Sequence, residues 1–138
     1  MHYGKIAIFV LSCSLMCALG CPSTRPSYYS VCMKNETAAL IRDASVFFGN
    51  LDVGKGSIVP GGLGFYHGVP VLVPEKAKVT WTTLDGNQHE QEVEVKRFMP
   101  SRMTDVTIFF VIKKDGSVLV KALTKEEKHE HKYPYGDN

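Results

Sequence analysis

Short apolar stretches that alternate with turn signals restrict the fold of this chain more than any other feature. Two Asp-Gly pairs each separate two such stretches, residues 78–84 from 92–96 and residues 106–112 from 118–123. An Asp-Gly pair in this position favours a β-hairpin, because glycine takes the positive φ of a tight turn without strain. The sequence therefore predicts two hairpins in the second half of the chain.

The side-chain patterns of two of these strands indicate their surroundings. In residues 78–84, Val79 and Trp81 fall on one face, so we expect Trp81 to pack in the core rather than act as an exposed platform for sugars. Residues 106–112 are apolar on both faces, which is typical of a strand in the middle of a sheet.

The first half of the chain is less regular. We predict strands over residues 28–34, 41–48 and 63–67, each followed by glycine or by polar residues. Six glycines lie between residues 49 and 64, and they predict a loop with at most a short strand around Ile58.

These elements define one domain, residues 28–123. About six or seven short antiparallel strands in this length predict an all-β fold, a single β-sandwich of immunoglobulin-like or transthyretin-like type. A domain of this size buries enough surface to fold without a metal or a disulfide. The 138-residue chain has a net charge of +2 and no block of basic residues, which argues against nucleic-acid binding.

The N-terminal segment, residues 1–20, has the composition of an export signal. Lys5 precedes an uncharged stretch from Ile6 to Leu19, and this order is typical of a secretory signal. The stretch has 14 residues, fewer than the roughly 20 that cross a bilayer as a helix. We therefore predict a signal helix that is cleaved before Cys21.

The end of this segment, Ala18-Leu19-Gly20-Cys21, resembles the lipobox of bacterial lipoproteins. The resemblance implies that the Cys21 thiol receives diacylglycerol and that Cys21 becomes the acylated first residue of an envelope protein. Ala18 stands where Leu is usual. Ala18 and Gly20 also satisfy ordinary signal peptidase, which would cut the same bond without adding lipid.

A short tether, residues 21–27, follows the cleavage site. Its two prolines favour an extended backbone. In enterobacterial lipoproteins, Asp after the acylated cysteine marks retention in the inner membrane, whereas this chain has Pro22. The resemblance therefore implies a protein that faces the periplasm from the outer membrane.

The cysteine positions do not form a disulfide framework. Cys13 and Cys17 lie in the leader, so Cys21 and Cys32 are the cysteines of the mature chain. Cys32 is either a buried free thiol or forms a disulfide with Cys21. Acylation of the Cys21 thiol would prevent the disulfide, and Cys32 would then be a buried thiol. The sequence has no CxxC pair, and we predict no metal site of that kind.

The C-terminal residues 124–138 are charged and lack apolar periodicity, so we expect a solvated, disordered tail. His129, Glu130 and His131 are groups that bind divalent metals, but a flexible segment would bind them weakly. A periplasmic protein that binds a small ligand or a metal through this tail is the alternative function.

Motifs of catalysis are missing from the sequence. Residues 28–123 contain His67 and His89 but no GxSxG, HExxH or phosphate-binding loop. Asn35-Glu36-Thr37 matches the N-glycosylation acceptor, and we interpret Asn35 as a turn residue instead. We expect no enzyme activity and no cofactor.

The glycine-rich segment before residue 68 carries Phe65, Tyr66 and His67. Loops on a rigid sandwich often hold binding residues, so these three residues form the candidate binding loop, although a crossover between sheets explains the segment equally well. The sequence predicts a lipid-anchored envelope protein whose sandwich binds a protein or an envelope component without chemistry. An accessory, immunity or envelope-stress role fits this description equally.

Overall fold

The computed structural model describes residues 28–70 and 72–130. Eight strands form in this part of the chain: β1 (Tyr29–Asn35), β2 (Ile41–Phe48), β3 (Leu51–Ile58), β4 (Leu63–Val69), β5 (Lys76–Thr83), β6 (Gln88–Glu94), β7 (Thr107–Ile112) and β8 (Val118–Leu123). A turn of 3₁₀ helix spans Lys96–Phe98, and helix α1 spans Lys125–Glu130. No helix among the described residues is long and apolar enough to cross a membrane.

The strands form two four-stranded sheets that pack against each other. Sheet A has the strand order β4-β1-β7-β8, and sheet B has the order β3-β2-β5-β6. Neighbouring strands are antiparallel except for β1 and β7, which are parallel. The predicted all-β sandwich is confirmed, and so are the two hairpins β5–β6 and β7–β8.

The strand count and one strand direction differ from the prediction. β3 (Leu51–Ile58) occupies much of the segment predicted as a loop, and the β1–β7 pair is parallel. Gly54 explains part of the glycine content, because it has a φ of +125° and a Cβ there would lie 2.7 Å from the carbonyl oxygen of Ala44. Glycine thus permits a close backbone approach at an irregular point of the β2–β3 ladder.

The hydrophobic core lies between the two sheets. All six residues of β7 (Thr107–Ile112) are buried, which confirms the prediction of a central strand. Trp81 is 4% exposed and belongs to the core cluster, as its alternation with Val79 predicted. Aromatic contacts close one end of the core, where the Tyr29 and Phe48 rings meet edge to face with centroids 5.9 Å apart.

Sheet A buries apolar side chains on its outer face as well. Cys32, Phe109, Val111 and Leu123 form a second cluster there. Cys32, which the sequence left either buried or paired with Cys21, is completely buried. Cys21 itself lies outside the described residues, as do the rest of the leader and the tether.

The tail begins with a helix, which corrects the prediction of an irregular chain from residue 124 onward. The Thr124 amide donates to Glu127 Oε2 over 2.8 Å, and the Glu127 amide donates to Thr124 Oγ1 over 3.4 Å. This reciprocal pair is a capping box, which stabilises the first turn of a helix. The Thr-x-x-Glu spacing was therefore a signal in the sequence, while residues 131–138 lie outside the described part.

Asn35 organises the connection between β1 and β2. Its side chain is completely buried, and its Nδ2 donates to the carbonyl oxygens of Ala39 (2.8 Å) and Ile58 (2.9 Å). Its Oδ1 accepts from the amide of Thr37 (2.9 Å) and from the Thr37 hydroxyl (2.7 Å). These bonds are the turn chemistry expected of Asn35, and the burial of its Nδ2 leaves no room for a glycan.

We expect Asn35→Ala to lower the free energy of unfolding by roughly 2–3 kcal/mol, because buried carbonyl and amide groups lose their partner. Urea unfolding followed by the fluorescence of Trp81 measures this change. Asn50→Ala, in an exposed turn, is the control and should change stability by less than about 0.5 kcal/mol. Equal stability of both variants would contradict the role given to Asn35.

Candidate functional site

A groove lies at one end of the outer face of sheet A. Its volume is about 440 Å³, and its lining includes residues from the start of β1, the end of β4, the segment before β7, and α1: Tyr28, Ser30, Phe65, His67, Asp105 and Lys128. We call it the outer groove. It combines ring faces, hydroxyl groups and charges of both signs, which is the composition of a recognition site.

The candidate binding residues Phe65, Tyr66 and His67 lie on strand β4. This confirms the strand predicted over residues 63–67 and corrects the description of these three residues as a binding loop. Successive side chains of a strand point to opposite faces. Phe65 and His67 therefore share the outer groove, where their ring centroids lie 4.5 Å apart.

Tyr66 points to the other face and packs against the main core. Its hydroxyl lies 3.4–3.5 Å from the positions that Cβ atoms would take on Gly54, Gly56 and Gly64. Burial, and to a lesser extent the charge of Asp52, raise the pKa of the Tyr66 phenol. Tyr66 thus closes the edge of the sandwich between β3 and β4, and the structure separates it from Phe65 and His67.

Two hydrogen bonds involve polar side chains that line the groove. Ser30 Oγ lies 3.2 Å from His67 Nδ1, and the direction of this bond follows the tautomer of the ring. The Lys128 ammonium donates to Thr107 Oγ1 over 2.7 Å. Burial lowers the pKa of Lys128, because an ammonium loses hydration when it leaves water. Lys128 thereby holds α1 against the outer face of sheet A.

Ser30 and His67 are a hydroxyl and an imidazole that line the outer groove. A serine nucleophile needs a histidine base that a third group orients. The hydrogen bond between Ser30 Oγ and His67 Nδ1 brings two of these three groups together. The pair presents a hydroxyl and an imidazole beside the Phe65 ring, which suits contacts to a polar and aromatic ligand.

The tail and the body both contain histidine and carboxylate residues, the types that bind metals. Within residues 28–70 and 72–130, no group of three His, Cys, Asp or Glu side chains is arranged to hold a metal ion. His131 and the side chains of His129 and Glu130 lie outside the described part, so the predicted weak metal tail stays a prediction.

A second depression lies on the outer face of sheet B, and its lining includes Phe47, Lys78 and His89. The Lys78 ammonium is 3.4 Å from a Glu90 carboxylate oxygen and 5.0 Å from the centre of the Phe47 ring. His89 stacks on Trp81 with ring centroids 5.1 Å apart. We take the outer groove as the candidate site because it is the one lined by Phe65 and His67, two of the residues that the sequence singled out.

Sequence reasoning found two of the groove residues and missed the others. Phe65 and His67 were candidates, whereas Ser30, Asp105 and Lys128 were not. The Thr-x-x-Glu capping box before Lys128 could have placed a helix there, but nothing in the local sequence relates that helix to β1 or β4.

Comparison with known proteins adds no function to this description. Neither the family models nor the curated proteins include a match to the chain. A solved structure described as the NMR structure of the protein from Eubacterium rectale is similar at 15% identity, covering 72% of this chain and 92% of that chain with a TM-score of 0.48. A likeness at this level carries no argument.

We expect Lys128→Ala to loosen α1, because the helix loses its 2.7 Å bond to Thr107 on β7. Hydrogen–deuterium exchange of the amides of α1 should become several-fold faster, while the amides of β1 and β7 should keep their protection. Lys125→Ala, on an exposed side chain of the same helix, is the control. Equal exchange in both variants would mean that Lys128 does not hold the helix.

Proposed function

We propose that this chain is a lipid-anchored protein of the bacterial cell envelope that binds a protein or an envelope component through the outer groove, without catalysing a reaction. The envelope location rests on the leader and on the lipobox-like Ala18-Leu19-Gly20-Cys21. Transport to the outer membrane, with the domain facing the periplasm, rests on Pro22 after the acylated cysteine.

One observation supports the binding role most directly. The first described residue, Tyr28, lines the same groove as Phe65 and His67. The chain therefore enters the domain beside the candidate recognition site, seven residues after Cys21. A lipid anchor on Cys21 would hold this groove close to the membrane, where an envelope partner is present at high local concentration.

The chemical character of the groove also favours binding over catalysis. An aromatic ring, an imidazole and a hydroxyl on neighbouring strands offer stacking and hydrogen bonding on a rigid support. The groove presents Lys125 and Lys128 beside Asp105, so its charged groups are of both signs with one more lysine than carboxylate. A protein segment that carries aromatic and polar side chains, with an acidic group among them, fits this surface.

The anchor is tested by Cys21→Ser. Cells that express the wild-type chain should yield a membrane-bound product whose mass includes acyl groups on the residue that follows Gly20. The variant should lose these groups and leave the membrane fraction, because the acyl chains supply the apolar attachment. A Cys21→Ser product that stays fully in the membrane fraction at the wild-type mass contradicts lipidation.

The groove is tested by photocrosslinking in intact cells followed by purification of the tagged protein. We expect Phe65→Ala and His67→Ala each to reduce the yield of a specific crosslinked partner by about tenfold or more, as for residues at the centre of an interface. Lys114→Ala is the control, since Lys114 is exposed in the β7–β8 turn and lines neither depression.

Retention of every crosslinked product in Phe65→Ala and His67→Ala, with both variants folded by circular dichroism, would contradict binding at the outer groove. Equal losses in the Lys114→Ala control would show a general effect of the substitutions rather than a contact at the groove.

A further inference from the structure

The end of the sandwich at which the chain enters is formed by several segments. Tyr29, at the start of β1, pairs with Val69 at the end of β4, and Lys76 at the start of β5 pairs with Glu94 at the end of β6. The contact of the Tyr29 and Phe48 rings brings these ends of the two sheets together. We call this end, with the β4–β5 and β6–β7 connections, the anchor end.

The anchor end exposes apolar side chains. Leu72, in the β4–β5 connection, is 93% exposed, and Tyr28 is 58% exposed. Leu72 has the largest exposed fraction among the large apolar residues that the structure describes as exposed. Pro70 and Pro74 flank this part of the chain and restrict the backbone that presents it. A leucine displayed in this way loses contact with water if an apolar surface meets it.

Two ion pairs lie at the anchor end. The Lys96 ammonium lies 2.7 Å from a Glu75 carboxylate oxygen, and Arg97 lies 2.9 Å from Glu94. Exposed ion pairs of this kind supply little attraction to anionic lipids. The apolar side chains of Leu72 and Tyr28 are therefore the groups on which we base membrane contact.

The chain outside the described residues limits the distance from this end to the membrane. Residues 22–27 join Cys21 to Tyr28, and six residues span at most about 20 Å. We propose that the anchor end docks on the lipid surface, with Leu72 and Tyr28 entering the interfacial region of the bilayer. This proposal rests on the proposed lipid anchor, and it adds an orientation in which the outer groove opens beside the membrane.

The test uses the mature chain beginning at Cys21, coupled through the Cys21 thiol to a maleimide phospholipid in vesicles of phosphatidylethanolamine and phosphatidylglycerol. Cys32 is completely buried, so coupling is directed to Cys21. The chemical anchor replaces natural acylation. The two proposals are therefore tested separately. The vesicle experiment tests docking of the anchor end, and the Cys21→Ser experiment in cells tests lipidation.

The reporter is Leu72→Trp, and its matched control is Leu84→Trp. Leu84 is 57% exposed and follows β5 at the opposite end of the sandwich. Trp81 is 4% exposed and contributes a constant background. On coupling to vesicles, the emission of Leu72→Trp should move to shorter wavelength and be quenched by brominated acyl chains at least threefold more strongly than that of Leu84→Trp.

Equal quenching of the two variants, or stronger quenching of Leu84→Trp, overturns the proposal. A shift of the Leu72→Trp emission in concentrated protein without vesicles, accompanied by dimers in sedimentation, would also overturn it, since a second copy would then cover this end. The far-ultraviolet circular dichroism of both variants must match that of the wild-type chain. Leu72→Asn supplies a second measurement: when coupled to vesicles, this variant should be cleaved by protease at the anchor end faster than the wild-type chain.

Discussion

The parallel pairing of β1 with β7 is the interaction on which the rest of the molecule depends. It joins Val31 to Ile108 and Met33 to Phe110 in register, and these four side chains are completely buried. The pairing places the two most buried strands at the centre of sheet A, with the hairpin partner β8 on one side and β4 on the other. Both edges of the sheet are then built from strands with fewer buried residues.

The same pairing creates the outer face on which the groove lies. Because β7 is apolar on both sides, sheet A carries a second cluster around Phe109 and Cys32 opposite the main core. α1 packs against this face through Lys128. The groove forms where the cluster meets the polar ends of β1 and β4. The composition of the central strand therefore shapes the surface on which we propose that a partner binds.

The predictions succeeded where the determinants are local. The range of β2 was predicted as observed, and both hairpins were identified because a tight turn and its flanking alternation lie within a few residues. The sequence did not predict β3 because glycine residues, taken alone, indicate a loop. Gly54 nevertheless lies in a strand, where a side chain would collide with the backbone of Ala44. The parallel pair was missed because no local pattern distinguishes a parallel partner from an antiparallel one.

The amino-acid order was sufficient to establish the all-β class and the burial of Trp81, since these follow from side-chain periodicity within a strand. The separation of Tyr66 from Phe65 and His67 was not inferred from the sequence. The composition of the groove needed the folded chain. Ser30 and His67 are 37 residues apart in sequence, and Lys128 reaches Thr107 across 21 residues. Such contacts depend on which strands become neighbours, and that is settled by the burial of a whole sheet rather than by any one segment.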